Sequence, residues 1–367
     1  MKPALELEPG RKLVRAVLMD FVRGQSSQLE LSPDLNWQWL TSFCSRHRLG
    51  PIFKTALAGS GLPAPVFELW KAHEQDSFVR NARASAAVVR IFQILEREAI
   101  PACALRGIVL AQTVYPHPSL RPMRDVDLLI RAGDAEKIER VLAKERLYPA
   151  ERLRSQLVYH VFDTIFEVHY SFLTPKRYRF KVAGDDFIAS RQAYTVPEGL
   201  IYRLPAELEL LGVLTHAFIH HELENMLYLV DAALIIRRHQ INWRFIADFG
   251  ARAGVSKIVL FSLAFLNDLF HLELESALAE FQTPYARKVS RYFPAYYAQL
   301  LDADRPGAYL RRKQNQLAVA ETAGTRLRQA LRLFAGDELQ KFRQSFRSGR
   351  RRADERHQQA DRPGMVG

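Results

Sequence analysis

The sequence predicts an α+β fold: a small β-sheet core in the middle of the chain, flanked by N-terminal and C-terminal helical modules. Three patterns point to it. Apolar residues recur at three- and four-residue spacing through residues 11–98, short strand-like and helix-like segments alternate between 99 and 200, and helical spacing returns after Pro205. The expected division is 1–98, 99–200, 201–344 and a basic, disordered tail at 345–367.

In the first module Leu13, Val14, Val17, Leu18 and Phe21 form one helical stripe and Trp37, Leu40, Phe43 and Cys44 a second, followed by a longer pattern over 66–98. The texture changes at Ile100-Pro101. There the apolar run Cys103-Ala104-Leu105 leads to Arg106-Gly107, a helix-like stretch at 108–115 and a proline-punctuated loop at 116–123. Residues 126–130 read as a strand, Asp134 caps a helix over 135–146, and 157–162 pairs with 165–172 across Asp163-Thr164. This makes a small sheet with helices on one side. Beyond Pro205, helices are expected over 207–238, 242–253 and 256–270.

Composition narrows the functional classes. With 48% hydrophobic and 25% charged residues over 367 positions, the chain is globular, which excludes disordered, collagen-like and disulfide-scaffold proteins. Cys44 and Cys103 lack metal-ligand spacing, and acidic residues rather than a signal peptide occupy the first ten positions, so a cytoplasmic location is expected. The longest clean apolar stretch, 258–266, is far short of the ~20 residues that cross a bilayer. Nine of the net +12 charges fall in 305–367, where fifteen Lys and Arg face six Asp and Glu. Such a tail is either a solvated or loosely helical extension or a contact for an anionic partner, and nothing in it resembles a motif that reads nucleic-acid sequence. The Gly-x-Ser-x-Gly, Gly-x-x-x-x-Gly-Lys-[Ser/Thr] and Gly-x-Gly-x-x-Gly patterns are all absent.

Asp125-Val126-Asp127 is the sharpest chemical feature. Alternation in a strand puts both carboxylates on one face, ~7 Å apart along the backbone, with Val126, Leu128 and Ile130 on the other. Two close acids repel and lose hydration unless a cation or donors compensate, and Mg²⁺ carrying a nucleotide would do so. A bare Asp-x-Asp is more often an exposed strand end; its surroundings reverse that and favour chemistry. Leu105-Arg106-Gly107 runs into a glycine turn, Arg121 and Arg124 lie beside the acids, and Phe166-Glu167-Val168-His169 brings a third carboxylate. That set suits phosphoryl transfer. The arginines either neutralise the acids or clamp phosphates, and His169 fits an orienting role better than that of a base. Further on, His216, His220, Glu224, Asp231 and Arg238 fall within ~80° on a helix expected over 215–238, as a cleft lining or as an ordinary amphipathic face. A zinc reading of His216, His220, His221 and Glu222 fails on spacing, because position 225 is Asn.

These segments resemble the DNA-polymerase-β-like nucleotidyltransferase superfamily and, within it, the bacterial uncharacterised nucleotidyltransferases. The resemblance rests on Leu105-Arg106-Gly107, the run from Leu120 through Arg124-Asp125-Val126-Asp127 to Ile130, Glu167-Val168-His169-Tyr170, and Tyr228-Leu229-Val230-Asp231-Ala232-Ala233-Leu234, within 35–255. It implies a small mixed β-sheet nucleotidyltransferase core. Asp125, Asp127 and Glu167 would be the catalytic, metal-binding carboxylates for two Mg²⁺ ions, and Arg106, Gly107, Arg121, Arg124 and Asp231 would serve the nucleotide. The implied activity is transfer of a nucleoside monophosphate from an NTP, ATP favoured, to a hydroxyl on a small molecule or protein, with Mg²⁺-dependent release of pyrophosphate. The rival expectation is a catalytically inactive binding protein on the same fold. Three departures stand out: Ile108 where the superfamily has serine after the glycine, Arg106 for the common lysine, and Tyr170 for tryptophan.

Overall fold

The computed structural model describes residues 9–25, 29–153, 155–172, 185–281, 283–301 and 314–315. The tail expected at 345–367, and most of the basic surplus with it, lies outside the described residues.

Four helices open the chain: α1 (Pro9–Arg23), α2 (Trp37–His47), α3 (Gly50–Ala56) and α4 (Ala64–Arg97). Asn36 caps α2 by accepting from the Trp39 N–H at 2.9 Å. The 34-residue α4 extends ~50 Å and joins two cores. Val66 and Trp70 near its start belong to one, and Val88, Phe92 and Leu95 near its end to the other.

The central segment runs β1 (Ala102–Leu105), α5 (Gly107–Thr113), β2 (Asp125–Ile130), α6 (Ala135–Lys144), β3 (Pro149–Arg152), β4 (Gln156–Val161), β5 (Thr164–His169), α7 (Asp185–Ala189), β6 (Gln192–Val196) and β7 (Gly199–Arg203). The strands form one mixed sheet in the order β3-β4-β5-β2-β1-β7-β6. In it β2 lies antiparallel to β1 and parallel to β5. The turn between β4 and β5 is tight because Phe162 and Asp163 both take left-handed backbone, φ 48° and 61°, which matches the twist of the flanking strands. The β6–β7 hairpin was not anticipated, although Tyr194-Thr195-Val196 and Leu200-Ile201-Tyr202 around Pro197-Glu198-Gly199 carry a strand–turn–strand signal.

Helices cover both faces of this sheet, not one. Val126, Leu128, Ile130, Phe166 and Val168 pack under α4 and α6, whereas Cys103, Leu105 and Leu129 join the core shared by α1–α3 and the C-terminal helices. A strand apolar on both sides needs two covers, and β1 is buried throughout.

The C-terminal part comprises α8 (Ala206–Thr215), a π-helical turn (His216–His220), α9 (Leu227–Arg238), α10 (Trp243–Ala253), α11 (Ser256–Phe270), α12 (Glu275–Ala279), a 3₁₀ segment (Pro284–Tyr292) and α13 (Phe293–Leu301). The continuous helix expected over 207–238 is therefore broken. Glu222 and Leu223 have φ of 52° and 56°, and the Leu223 N–H bonds the Ala217 carbonyl at 2.7 Å. Long-range contacts fix the break: the Gln299 amide donates to the Glu222 and Leu223 carbonyls, and the Met226 N–H donates to His47 Nδ1 at 3.2 Å. No single polar stripe runs from His216 to Arg238, since the residues fall on separate elements and Asp231 is fully buried. Among the described residues no helix is long and apolar enough to cross a membrane.

Candidate active site

β2 opens with Asp125 exposed and Asp127 buried on the same face. Register places Leu105 opposite Asp127 on β1 and Glu167 opposite it on β5, so three strands meet at this carboxylate. Arg106 Nη1 donates to Asp127 Oδ1 at 2.8 Å, and His169 Nε2 donates to the same oxygen at 2.7 Å. Burial works against ionisation of Asp127. Arg106 and the His169 hydrogen bond outweigh it and hold the carboxyl well below the usual carboxylate range. Asp125 moves the other way, raised by desolvation from the surrounding walls and by Asp127, with Arg121, Arg48 and Arg106 opposing.

Arg106 holds its position in an unfavourable conformation. Its φ of 55° with ψ of −119° is backbone that suits glycine, and an arginine there stores on the order of 1–3 kcal/mol of strain. The positive φ thus falls on Arg106, not on Gly107. Gly107 is needed for space: a Cβ there would stand 2.5 Å from Arg121 Nη1 and 3.0 Å from Met123 Sδ.

Glu167 is half-buried and oriented by Gln156, whose amide donates to Oε2 at 3.0 Å. Burial and the neighbouring Asp127 raise its pKa. His169 Nε2 lies 3.6 Å from the same oxygen. One donor atom from each of Asp127, Glu167 and His169 lies within 4.8 Å of the others. Oxygen donors from Asp127 and Glu167, with Asp125 beside them, fit a hard divalent cation, since at Asp125 and Glu167 the nearby positive groups do not offset burial and the neighbouring carboxylate. Among the described residues the histidine cluster His216, His220, His221 gathers no such donor group.

Arg121 and Asp231, both expected to serve the nucleotide, bind each other. Arg121 Nη2 donates to Asp231 Oδ2 at 2.7 Å and Nε to Oδ1 at 3.2 Å, while the Tyr115 hydroxyl donates to Oδ1 at 2.7 Å. Asp231 is 0% exposed and Arg121 5%. Asn81 caps the loop from the other side, its amide donating to the Pro118 and Arg121 carbonyls. The pair therefore fixes the 118–121 loop under the head of β2. Arg124 is exposed and borders, with Asp125, a cleft of about 230 Å³ whose other walls include Arg80 and Arg83 from α4 and Asp163 from the β4–β5 turn.

The helical modules add Arg48, which sequence reasoning did not single out, and place the histidines and Tyr228 near it. Arg48, just after α2, acts electrostatically on Tyr228, Arg124, Arg121 and Asp125. His221 stacks on Tyr228 with ring centroids 5.1 Å apart, and His216 meets both rings edge-on. Burial, with His220 and Arg106 next in effect, pushes His221 down to about 4. No local pattern marks Arg48, whereas Tyr228 stands in the quoted Tyr228-to-Leu234 segment.

No curated protein matches this chain in sequence. The antibiotic-resistance factor ANT(2'')-Ia, known from a solution structure, aligns over 59% of this chain and 98% of its own at 12% identity, with a TM-score of 0.29, a likeness too low to bear on the chemistry. The family described as uncharacterised nucleotidyltransferase matches residues 33–271, well over half of the chain and a span that includes Arg48, the β2 acids, Glu167 and Asp231. The chain belongs to the uncharacterised nucleotidyltransferase family.

Proposed function

We propose that the protein transfers a nucleoside monophosphate from a nucleoside triphosphate, ATP in the first instance, to a hydroxyl of a small-molecule or protein acceptor. The acceptor oxygen bonds to the α-phosphorus, the bond to the bridging oxygen breaks, pyrophosphate leaves and the hydroxyl proton passes to a base. The observation that carries the reading is the register pair Asp127 and Glu167 with Asp125 on the same face, three carboxylates at the junction of β1, β2 and β5.

Asp125, Asp127 and Glu167 would hold Mg²⁺, which when bound neutralises phosphate charge and acidifies the acceptor hydroxyl. Arg106 and His169 hold Asp127 ionised and aimed through Oδ1, while Gln156 fixes Glu167 through Oε2. Glu167 then either completes the cation's shell or receives the hydroxyl proton. Exposed Arg124 contributes positive charge at the mouth. Arg121 and Asp231 act as positioning residues through the loop that they anchor.

A second reading, nucleotide binding without transfer, draws on the two donors already bonded to Asp127 Oδ1. Incubation with each α-labelled NTP and Mg²⁺ decides. Metal-dependent pyrophosphate release that disappears in Asp127→Asn supports transfer; nucleotide binding with no release under any acceptor condition supports the second reading, and neither binding nor release overturns both.

A further inference from the structure

The cleft at the head of β2 carries charges that the chemistry described so far leaves unused. It has a volume of about 230 Å³, and Asp125 and Arg124 share its wall with Arg80 and Arg83 of α4 and with Asp163 and Thr164 of the β4–β5 hairpin. Arginines recur along α4 at 80, 83, 90 and 97, and Arg83 alone among them has no acidic partner in the described residues. Arg80 Nε donates to both Asp76 carboxylate oxygens, at 2.9 and 2.8 Å, while Arg90 and Arg97 reach Glu145 at 3.7 and 3.5 Å. Arg124 likewise forms no ion pair with a described residue, so two exposed guanidiniums line one cleft unmatched. Of the acids in the same wall, Asp76 is taken by Arg80 and Asp125 belongs to the proposed cation, which leaves Asp163 against the two arginines. With the cation in place, the cleft has an excess of positive charge.

Its position assigns it to one side of the reaction. On the β1 side stands the Arg106-Gly107 turn, and buried Met123 separates the two: it lines the cleft, and its Sδ would lie 3.0 Å from a Cβ on Gly107. On the other side Asp125 pairs in register with Ile165 of β5, the strand that begins in the cleft wall at Thr164 and carries Glu167 three residues on. The cleft therefore approaches Asp125 from the strand of Glu167 and away from the glycine turn. Its volume is below the ~300–1,000 Å³ usual for sites that enclose a drug-sized ligand, which suits a small acidic molecule better than a whole nucleotide.

We infer that this cleft holds the acceptor, a small molecule with an anionic group, phosphate or carboxylate, that Arg83 and Arg124 bind while its hydroxyl reaches the cation at Asp125. The inference rests on the nucleotidyltransferase reading above and narrows its acceptor. Guanidiniums fit the oxygens of either anion through paired N–H donors.

Methyl phosphate, acetate and glycerol serve as probes of the two anionic groups and of a neutral hydroxyl compound. Each is titrated, by ligand-observed NMR, into the full chain with Mg²⁺ and a saturating non-hydrolysable NTP analogue, which keeps the triphosphate site filled. The proteins are wild type, Arg83→Gln and Arg97→Gln; the last removes a charge from the same helix ~21 Å away from Arg83. Saturable binding of an anion but not of glycerol is expected in wild type. Loss of one charge-assisted contact predicts about 10-fold weaker anion binding in Arg83→Gln, with unchanged affinity for the analogue, and no change in Arg97→Gln. Binding of methyl phosphate alone specifies a phosphorylated acceptor, and binding of acetate as well admits a carboxylate. No saturable anion binding beside the bound analogue, or equal affinity in wild type and Arg83→Gln, overturns the inference and leaves the nucleotidyltransferase reading intact. An equal loss in Arg97→Gln overturns it in favour of diffuse charge along α4. Failure of the wild type to bind the analogue removes the parent reading and the acceptor assignment with it.

Discussion

Arg121 and Asp231, 110 residues apart, are joined inside the protein by two hydrogen bonds of 2.7 and 3.2 Å, and Tyr115 completes the same carboxylate. The link ties the loop before β2 to the first turns of α9. Through Gly107, which Arg121 covers, it also reaches the start of α5.

Breaking this pair should cost more than removing it whole. Asp231→Ala leaves a buried guanidinium and a buried phenol without their acceptor, for a loss of about 3–5 kcal/mol, whereas the double change Arg121→Met with Asp231→Leu should recover much of that. Urea unfolding of the three variants measures it. A single variant as stable as wild type would show that the carboxylate is not a structural partner.

Gly107→Ala probes the same contact from the other side. Arg121 Nη1 would have to move from 2.5 Å, and it is the end of a side chain already locked by Asp231, so it cannot swing away cheaply. The expected cost is about 1–3 kcal/mol of overpacking, together with weaker nucleotide binding as the loop shifts. Thermal unfolding with and without MgNTP separates the two effects. An alanine variant with unchanged stability would mean that the loop yields freely.

Much of the site was legible in the residues, but not the partners that bury it. The i, i+2 acids and the strand that follows them express local rules, and β2 forms where alternation puts it, whereas the β4–β5 turn falls on Phe162-Asp163, one residue before the expected Asp163-Thr164, because Val161 pairs with Thr164 and both turn residues take left-handed backbone. The break between α8 and α9 obeys no local rule. Apolar spacing continues through 215–238, and the chain turns at Glu222 and Leu223 because Gln299 and His47, far away in sequence, bind the freed backbone groups. Arg48 escaped notice for the same reason: its neighbours Asp125 and Tyr228 come from distant segments. Asp231 was visible as a motif residue, yet its role depends on a pairing with Arg121 that periodicity does not encode.

Glu209 should give stability a pH dependence remote from the acids of β2. It lies 5% exposed on α8 with Oε1 unpartnered, and its contact to Arg203 Nη1 is long, 3.5 Å. Burial therefore outweighs the arginine and raises the carboxyl to about 8. Between the ordinary glutamate range and that value the unfolded chain has released a proton that the native state keeps, so stability falls as pH rises through this window and levels off above it. Glu209→Gln should flatten that slope and be the more stable protein at pH 8. Denaturation midpoints from pH 5 to 9 check the sign, and parallel curves for the two proteins would refute it.

The carboxylates of the site should separate binding from chemistry. Asp125 and Asp127 share a strand face and sit nearest the arginines, so on the proposed function both should serve the nucleotide side whatever the acceptor. Asparagine at 127 keeps an Oδ1 that can still accept from Arg106 and His169, which protects the fold while removing the charge. Asp125→Asn and Asp127→Asn should therefore remain folded and lose Mg²⁺-dependent nucleotide binding. Glu167 arrives on the neighbouring strand, half-exposed and held by Gln156, beyond the reach of those arginines. Glu167→Gln should lower kcat by orders of magnitude with little change in nucleotide affinity, because an interaction made only in the transition state leaves ground-state binding untouched. Its proton or metal role is then read from pH: if Glu167 is the base, the acidic limb of the single-turnover rate disappears in the glutamine variant, whereas a metal ligand shifts the Mg²⁺ requirement and leaves the limb in place. Calorimetry of the non-hydrolysable nucleotide and single-turnover rates across pH and Mg²⁺ concentration are the measurements. Equal loss of nucleotide affinity in Glu167→Gln and Asp125→Asn would show that the three acids act as one binding unit, contrary to this division.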